Sequence, residues 1–349
     1  MTTIREVAEH AGVSVATVSR ALSGHEAVSP DTRVRVQAVA DRLGYRPSLV
    51  AAAMRTGRTG TIGLVIGDIT NPFMTALAFH VEQEVRRRGW VLAIANGMED
   101  PAQQEAVTDM LLRQQVDGLL LVPAGPPTPR MLGLLGGATP VVYLDRRPAG
   151  EVPYSVFVDP APALLDVARH LVREGYQRPA VIAGPRKAST GRGRAKATVD
   201  ALGRAGYDAT DVRVVEGAFS QHSGQVAMRE LLEGPRRPDA VIALSNLLAL
   251  GAMEVLEDHD LAIGAEIGLV SFDDDNWFRV TRPSISAVRQ PVAELAAAGV
   301  GALASILEGR PPKGRKLVLT GAEFIARGST SRHLPTHDAV PGHETEGPS

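Results

Sequence analysis

The stretch Ile4-Arg-Glu-Val-Ala-Glu-His-Ala-Gly-Val-Ser-Val-Ala-Thr-Val-Ser-Arg20 decides how the chain begins. Thr3 followed by Glu6 makes a capping box, in which a hydroxyl and a carboxylate each satisfy an amide that a helix start leaves without a partner. Ile4, Val7, Ala8 and Ala11 then recur at helical spacing as an apolar stripe. Gly12 offers the positive φ that ends such a helix. Ser14 caps a second helix whose expected stripe is Val15, Val18 and Leu22, and Ser23-Gly24 stops it. Two short helices joined by a glycine-containing turn, all within about twenty residues, form the helix-turn-helix pattern. Farther out, Ser29 with Pro30 at the first helical position opens a third helix. Val34, Ala38 and Leu43 are its expected buried side, and Gly44 then Pro47 close it.

Charge sets this head apart. Residues 1–60 hold eight Arg, no Lys and five Asp or Glu, a net of +3, against −5 for the remainder of a chain whose total is −2. A basic head on an acidic body points to a polyanion as the head's partner. Residues 48–55, Ser-Leu-Val-Ala-Ala-Ala-Met-Arg, favour helix but fall short of the roughly 12–15 residues a helix needs to persist alone in water. Thr56-Gly57-Arg58-Thr59-Gly60 then breaks the chain.

From residue 61 the grammar changes. Apolar runs at 61–67, 91–95, 118–122 and 141–144, and again at 180–183, 212–215, 240–244 and 267–272, alternate with helical stretches. This rhythm argues for an α/β body of parallel sheets covered by helices on both faces, and its repetition for two similar lobes. Asp159-Pro160 and the segment Val288–Pro291 read as crossings between lobes, with final strands over Leu317–Thr330. Residues 333–349, rich in Pro, His, Gly and Thr, read as a disordered tail.

Composition excludes several chemistries. The 349 residues contain no Cys, which removes disulfides, thiolate metal sites and cysteine nucleophiles. The nine His are scattered, with no His-x-x-His or His-Glu-x-x-His spacing. The first apolar run ends Gly67-Asp-Ile-Thr-Asn-Pro, not in a dinucleotide fingerprint, and no Gly-Lys-Ser/Thr phosphate loop occurs. Asp273–Asp275 reads as a polar loop. No cofactor, no metal and no catalytic activity are expected. The start has neither the basic residues nor the apolar run of a signal peptide, and no 18-residue apolar stretch occurs, so the expectation is a cytoplasmic protein without membrane contact.

Several motifs together resemble the LacI/GalR family of bacterial transcription regulators. They are the opening stretch, Val28-Ser-Pro-Asp-Thr-Arg33 and Leu43-Gly-Tyr-Arg-Pro47 in the head, and in the body Asp68-Ile-Thr-Asn-Pro-Phe73, Val116-Asp-Gly118, Leu144-Asp-Arg146, Gly217-Ala-Phe-Ser220, Leu248-Ala-Leu-Gly251, Ser271-Phe-Asp-Asp274 and Val288-Arg-Gln-Pro291. The resemblance runs in order from about residue 3 to 330. It implies an all-α helix-turn-helix DNA-binding domain over 1–47 and a hinge helix and linker over 48–60. It also implies a two-lobed, periplasmic-binding-protein-like body of Rossmann-like lobes, 61–159 plus about 291–320 and 160–290 plus about 321–332.

By the same resemblance Val15, Ala16 and Arg20 read bases, the arginine able to take guanine O6 and N7 together and the apolar pair able to meet a thymine methyl. For Val15 the competing reading is a core residue of the small bundle. Ser14, Thr17, Ser19 and Tyr45 match phosphate-contacting positions, which set register and not sequence. Ser48, Ala51 and Met54 fall on the minor-groove hinge, where a leucine is usual at the position of Met54 and Asn is frequent at that of Ser48.

In the body, Asn71, Phe73, Asp145, Thr190, Arg194, Phe219, Ser245, Asp273 and Gln290 fall on positions that ring a small-molecule effector. Carboxylates and amides suit vicinal hydroxyls, an aromatic face suits the C–H side of a sugar, and Arg194 suits hydroxyls, a carboxylate or a phosphate. Trp277 either lines the pocket or packs between the lobes. Leu244-Ser245-Asn246 departs from the usual Ala-Asn-Asp, and Ser271 stands where Gly is usual. The resemblance implies a homodimer on pseudo-palindromic operator DNA under effector control; the tail has no leucine heptads of the kind tetrameric relatives use. A solute-binding protein of a sugar transporter, or a DNA-binding regulator answering to a partner protein, are the alternatives.

Overall fold

The computed structural model describes residues 2–22, 27–46, 57–147 and 154–332. The expectations for Ser23-Gly24, for Ser48, Ala51 and Met54 in the linker, and for the tail lie outside the described residues. The chain divides into two units: one runs to Thr61 and takes in Gln115–Asp117, and the other holds the rest.

In the first unit the capping box forms as the sequence dictates. The Thr3 hydroxyl accepts from the Glu6 amide at 3.4 Å, and Glu6 Oε2 accepts from the Thr3 amide at 2.8 Å. They open α1 (Ile4–Ala11), which Gly12 ends at φ 64°. Ser14 Oγ accepts from the Thr17 amide at the start of α2 (Val15–Leu22). Ser29 caps α3 (Pro30–Arg42). The three helices enclose Val7, Ala8, Ala11, Val18, Ala21, Val36, Val39 and Ala40.

Two expected stripes are corrected here. Val34 is 70% exposed and Ala38 is exposed as well; the buried side of α3 is Val36, Val39 and Ala40, with Leu43 packed against it. That set follows the i, i+3, i+4, i+7 spacing, whereas Val34 lies two residues, about 200° of helix rotation, from Val36. Val15 is likewise exposed, and Ala21 joins Val18 in the core in its place. At the far end of this unit Asp117 binds the backbone: its carboxylate accepts from the amides of Thr59 (2.7 Å) and Gly60 (2.9 Å).

The second unit carries two six-stranded sheets. β1 (Thr61–Ile66), β2 (Val91–Asn96), β3 (Gly118–Leu121), β4 (Val141–Leu144), β5 (Ser155–Val158) and β11 (Lys316–Leu319) lie in the order β11-β5-β4-β3-β1-β2. β6 (Pro179–Ala183), β7 (Arg213–Glu216), β8 (Ala240–Ala243), β9 (Gly268–Phe272), β10 (Ser286–Arg289) and β12 (Glu323–Ile325) lie in the order β12-β10-β9-β8-β6-β7. Pairing is parallel from β11 through β1 and from β10 through β7, and β12 runs antiparallel to β10. Central strands such as Gly-Leu-Leu-Leu and Ala-Val-Ile-Ala are buried at every residue, as strands covered on both faces must be. β5 carries no strand expectation from the sequence, being only four residues long and running straight into Asp159-Pro160, while β10 overlaps the start of the segment Val288–Pro291, where the chain does cross between lobes.

The chain passes between lobes three times: between β5 and α7 (Ala161–Arg173), between β10 and α11 (Val292–Leu307), and between β11 and β12. In the first lobe α4 (Pro72–Arg87) packs on α11 above Leu64, Leu120, Val142 and Val300. In the second, α9 (Gln221–Glu233) and α10 (Asn246–Asp258) touch backbone to backbone, because a side chain at Gly251 would run into the Gln221 carbonyl. Among the described residues no helix is long and apolar enough to cross a membrane.

Candidate ligand cleft and DNA-reading helix

The exposed face of α2 starts at its N-terminus. Val15 is 40% exposed, and Ala16 and Arg20 are exposed beside it. Ser14 Oγ and Thr17 Oγ1 are hydrogen-bonded at 2.8 Å at the same end, and Ser19 is half-buried. Tyr45 lies half-buried against the small core. A helix N-terminus carries unsatisfied amides and a positive end of dipole, which suits phosphate. No acidic residue stands in the first turn of α2 to compete for it.

The cleft of the second unit is built by two equivalent corners. β4 and β9 occupy the same place in their respective sheets, and each is followed by an aspartate with positive φ: Asp145 at 60° and Asp273 at 73°. Such a conformation is rare for a residue with a side chain and clusters where function demands it. Both are held by their neighbours, Asp145 N donating to the Val156 carbonyl and Asp273 N to that of Val288, each at 2.9 Å. The two carboxylates are buried.

Arg194, from α8 (Ser189–Ala205), lies between them. Nη2 is 3.6 Å from Asp145 Oδ1 and Nη1 is 3.9 Å from Asp273 Oδ2. Nη1 also donates to the Leu244 carbonyl at 3.2 Å, and the guanidinium carbon sits 3.9 Å from the centroid of the Phe272 ring. Gln290 Nε2 donates to Asp273 Oδ1 at 2.6 Å. Asn71 caps α4 by accepting from the Phe73 amide, and its Oδ1 also receives Asn246 Nδ2 from the other lobe at 3.2 Å. Asn246 Nδ2 lies within 3.2–3.3 Å of the Asp275 carboxylate as well.

The structure therefore brings Asp145, Arg194, Asp273 and Gln290 into one cluster and joins Asn71 to it through Asn246. Phe73 belongs to the first-lobe core, yet it shares with Asp273 and Gln290 the wall of a cavity of about 450 Å³ between the lobes. Phe219 is in the second-lobe core and meets Arg146, whose guanidinium carbon is 4.9 Å from its ring centroid. Trp277 packs against that same core beside Phe278. Ser245 is buried and spends its hydroxyl capping α10. Thr190 Oγ1 is buried without a hydrogen-bond partner.

Four residues at this site were given no role by sequence reading. Arg146 makes a two-pronged ion pair with Glu99, at 2.6 and 2.8 Å. Its Nε, 3.6 Å from Asp145 Oδ2, has no hydrogen-bond acceptor. Arg146 stood in the quoted Leu144-Asp-Arg motif and Asp275 in the aspartate run, so both had a signal. Asn246 was visible only as a departure, and Glu99 had none.

Burial dominates the titration of the cluster. It pushes Asp273 up to about 6, against the pull of Arg194 and Gln290. Asp145 and Asp275 are raised by the same cause. Burial also opposes the charge on Arg146, but the Glu99 bond and the surrounding carboxylates more than restore it. Among the described residues no group of three or more His, Cys, Asp or Glu is placed to hold a metal ion.

A helix-turn-helix head with an exposed reading face, followed by a two-lobed body with a polar cleft, defines a DNA-binding regulator of transcription. Comparison with known proteins agrees. The pattern for bacterial regulatory proteins of the lacI family matches residues 3–48, and that for a periplasmic binding protein-like domain matches 168–330. The chain is 31% identical over 311 residues to the HTH-type transcriptional regulator GalR of Escherichia coli K12, covering 89% of this chain and 91% of GalR. It is 29% identical to the HTH-type transcriptional repressor CytR of the same strain, over 95% of this chain and 97% of CytR. A Lac repressor dimer bound to operator and the anti-inducer ONPF superposes with a TM-score of 0.82 at 25% identity, covering 95% of this chain and 99% of that one. The regulator CelR in complex with cellobiose gives 0.69 at 31% identity, over 94% and 100%. The chain belongs to the LacI family of bacterial regulatory proteins, and it is a regulator of transcription, not an enzyme.

Proposed function

We propose that this regulator is a cytoplasmic repressor that binds a pseudo-palindromic operator as a homodimer and is controlled by a small carbohydrate-like effector held between its lobes. Val15, Ala16 and Arg20 read bases; Ser14, Thr17, Ser19 and Tyr45 hold phosphates. Ser48, Ala51 and Met54 act at the minor groove within a linker over 48–60, between a head over 1–47 and the two interleaved lobes.

The observation that carries the effector reading is the Asp145–Arg194–Asp273 cluster. Groups from both lobes meet there in a buried site, with Thr190 Oγ1 and Arg146 Nε left without hydrogen-bond partners. Buried polar groups are costly to leave unmade, and a polyol supplies donors and acceptors together. A ligand that binds one arrangement of the lobes better than another shifts the population, and operator affinity with it. The dimer reading is supported by exposed Phe79, Ile94 and Met110 on α4, β2 and α5 (Pro101–Arg113), with both helices packed on β2. Exposed apolar patches of this kind mark contact surfaces.

The test is thermal denaturation of the full-length protein against a panel of sugars, since a ligand bound to the native state raises Tm. A hit is carried into operator titrations and light scattering. One or more sugars raise Tm and alter DNA affinity of a dimer; a protein indifferent to every sugar, or monomeric on its operator, refutes the reading.

A further inference from the structure

We propose that the cleft admits an uncharged polyhydroxyl ligand and rejects its anionic counterparts, sugar acids and sugar phosphates; this rests on the carbohydrate reading above. An isolated Arg194 and Arg146 suggest anion receptors, but each guanidinium already faces protein acceptors, with Arg146 Nε alone of the Arg146 nitrogens left without one. Arg146 is engaged by both oxygens of Glu99 and lies 3.3 Å from the Pro123 carbonyl. Arg194 faces Asp145 and Asp273, donates to Leu244 O and stacks on Phe272. Two cations are thus set against four carboxylates, because Asp275, tied to Asn246, adds to Glu99, Asp145 and Asp273.

The adjoining cavity repeats the imbalance. Its wall includes Asp273, Asp274, Asp275, Glu294 and Glu323, against which stand three arginines, Arg327 and Arg279 facing Asp274 and Arg289 facing Glu323. Arg147, next along the chain, is turned onto the Phe157 ring at 4.3 Å. An anion entering this cleft loses its hydration and gains no uncommitted guanidinium among these residues; like charges at short range in such a medium repel strongly. A neutral polyol meets no such barrier. Each hydroxyl can donate to a carboxylate oxygen and accept from Thr190 Oγ1 or from the one N–H of Arg146, at Nε, that has no acceptor; a single N–H serves a hydroxyl oxygen without offering an anion an open guanidinium.

The experiment is calorimetric titration of the full-length protein with matched sets at neutral pH. Neutral mono- and disaccharides are compared with the corresponding uronic acids and 6-phosphates. The expected result is that every binder is neutral and that its acid and phosphate bind at least about tenfold more weakly. An acid or phosphate that binds as tightly as its parent, or tighter, overturns the proposal while leaving the carbohydrate reading in place. Absence of binding by every member of every set overturns the carbohydrate reading itself. Asp273→Asn and, separately, Asp275→Asn narrow the neutral-to-anion ratio; a ratio unchanged in both variants shows that charge is not what discriminates, and the proposal falls.

Discussion

Asn246 Nδ2 of the second lobe donates to Asn71 Oδ1 of the first at 3.2 Å, while facing Asp275 at 3.2–3.3 Å. One amide thus holds a helix cap of one lobe and a carboxylate of the other. Asn246→Asp turns both contacts repulsive. Effector affinity is expected to fall about tenfold, the loss of one charge-assisted bond, and small-angle scattering should show the lobes more widely parted. Unchanged affinity and dimensions would remove the clasp from the mechanism.

Arg194→Ala leaves Asp145 and Asp273 buried without their cation. Removing one member of a buried cluster costs on the order of 3–5 kcal/mol, read as a lower Tm at pH 8. The deficit should shrink on acidification, as the stranded carboxylates take up protons. A variant as stable as the parent at pH 8 contradicts the role given to Arg194.

Asp273 supplies a sign that can be checked. Its folded pKa, about 6, lies above the ordinary 3.8. The folded state therefore holds this proton more tightly, and the associated stability is complete below about pH 3.8 and lost as pH rises through about 6. Asp273→Asn escapes that loss. It is expected to exceed the parent in stability by up to roughly 3 kcal/mol at pH 8 and to converge on it near pH 4. Parallel pH–Tm curves for the two proteins would rule this out.

How far this was legible in the sequence depends on distance along the chain. The Thr3–Glu6 box and the Gly12 stop are local and were readable residue by residue. Asp145, Arg194 and Asp273 were named through family resemblance, while their mutual engagement was not, since it joins strand ends from different lobes. Glu99 lies 47 residues from Arg146 in a loop without periodicity, so no spacing rule could pair them. The buried phase of α3 is not legible from composition, because Val34 and Ala38 are apolar yet face outward, and composition alone does not choose between two possible stripes.

Arg20→Ala should weaken binding to the preferred duplex, selected from randomised DNA, by about 1–3 kcal/mol and relax choice at one base pair. Tm should scarcely move, since Arg20 is exposed. Anisotropy titrations across single-base variants report this; uniform weakening at all sequences would reassign Arg20 to phosphate.

Asp117→Ala removes the acceptor of the Thr59 and Gly60 amides. Hydrogen exchange at those two positions should accelerate by about tenfold or more, the protection one bond confers. Exchange at the parental rate would mean the carboxylate does not secure this end of the linker.

The three passages of chain between lobes have a genetic consequence. Cutting the coding sequence after Asp159 leaves the first fragment without β11, the outermost strand of its own sheet, and hands that strand to the second. The first fragment lacks a strand and the helix Val292–Leu307 of its own lobe, and the second carries both as surplus to a lobe that is otherwise complete. Trading one lobe between relatives demands three matched junctions, whereas trading the head demands one, so shuffling among such genes should have exchanged operator specificity far more freely than it exchanged half of a ligand pocket.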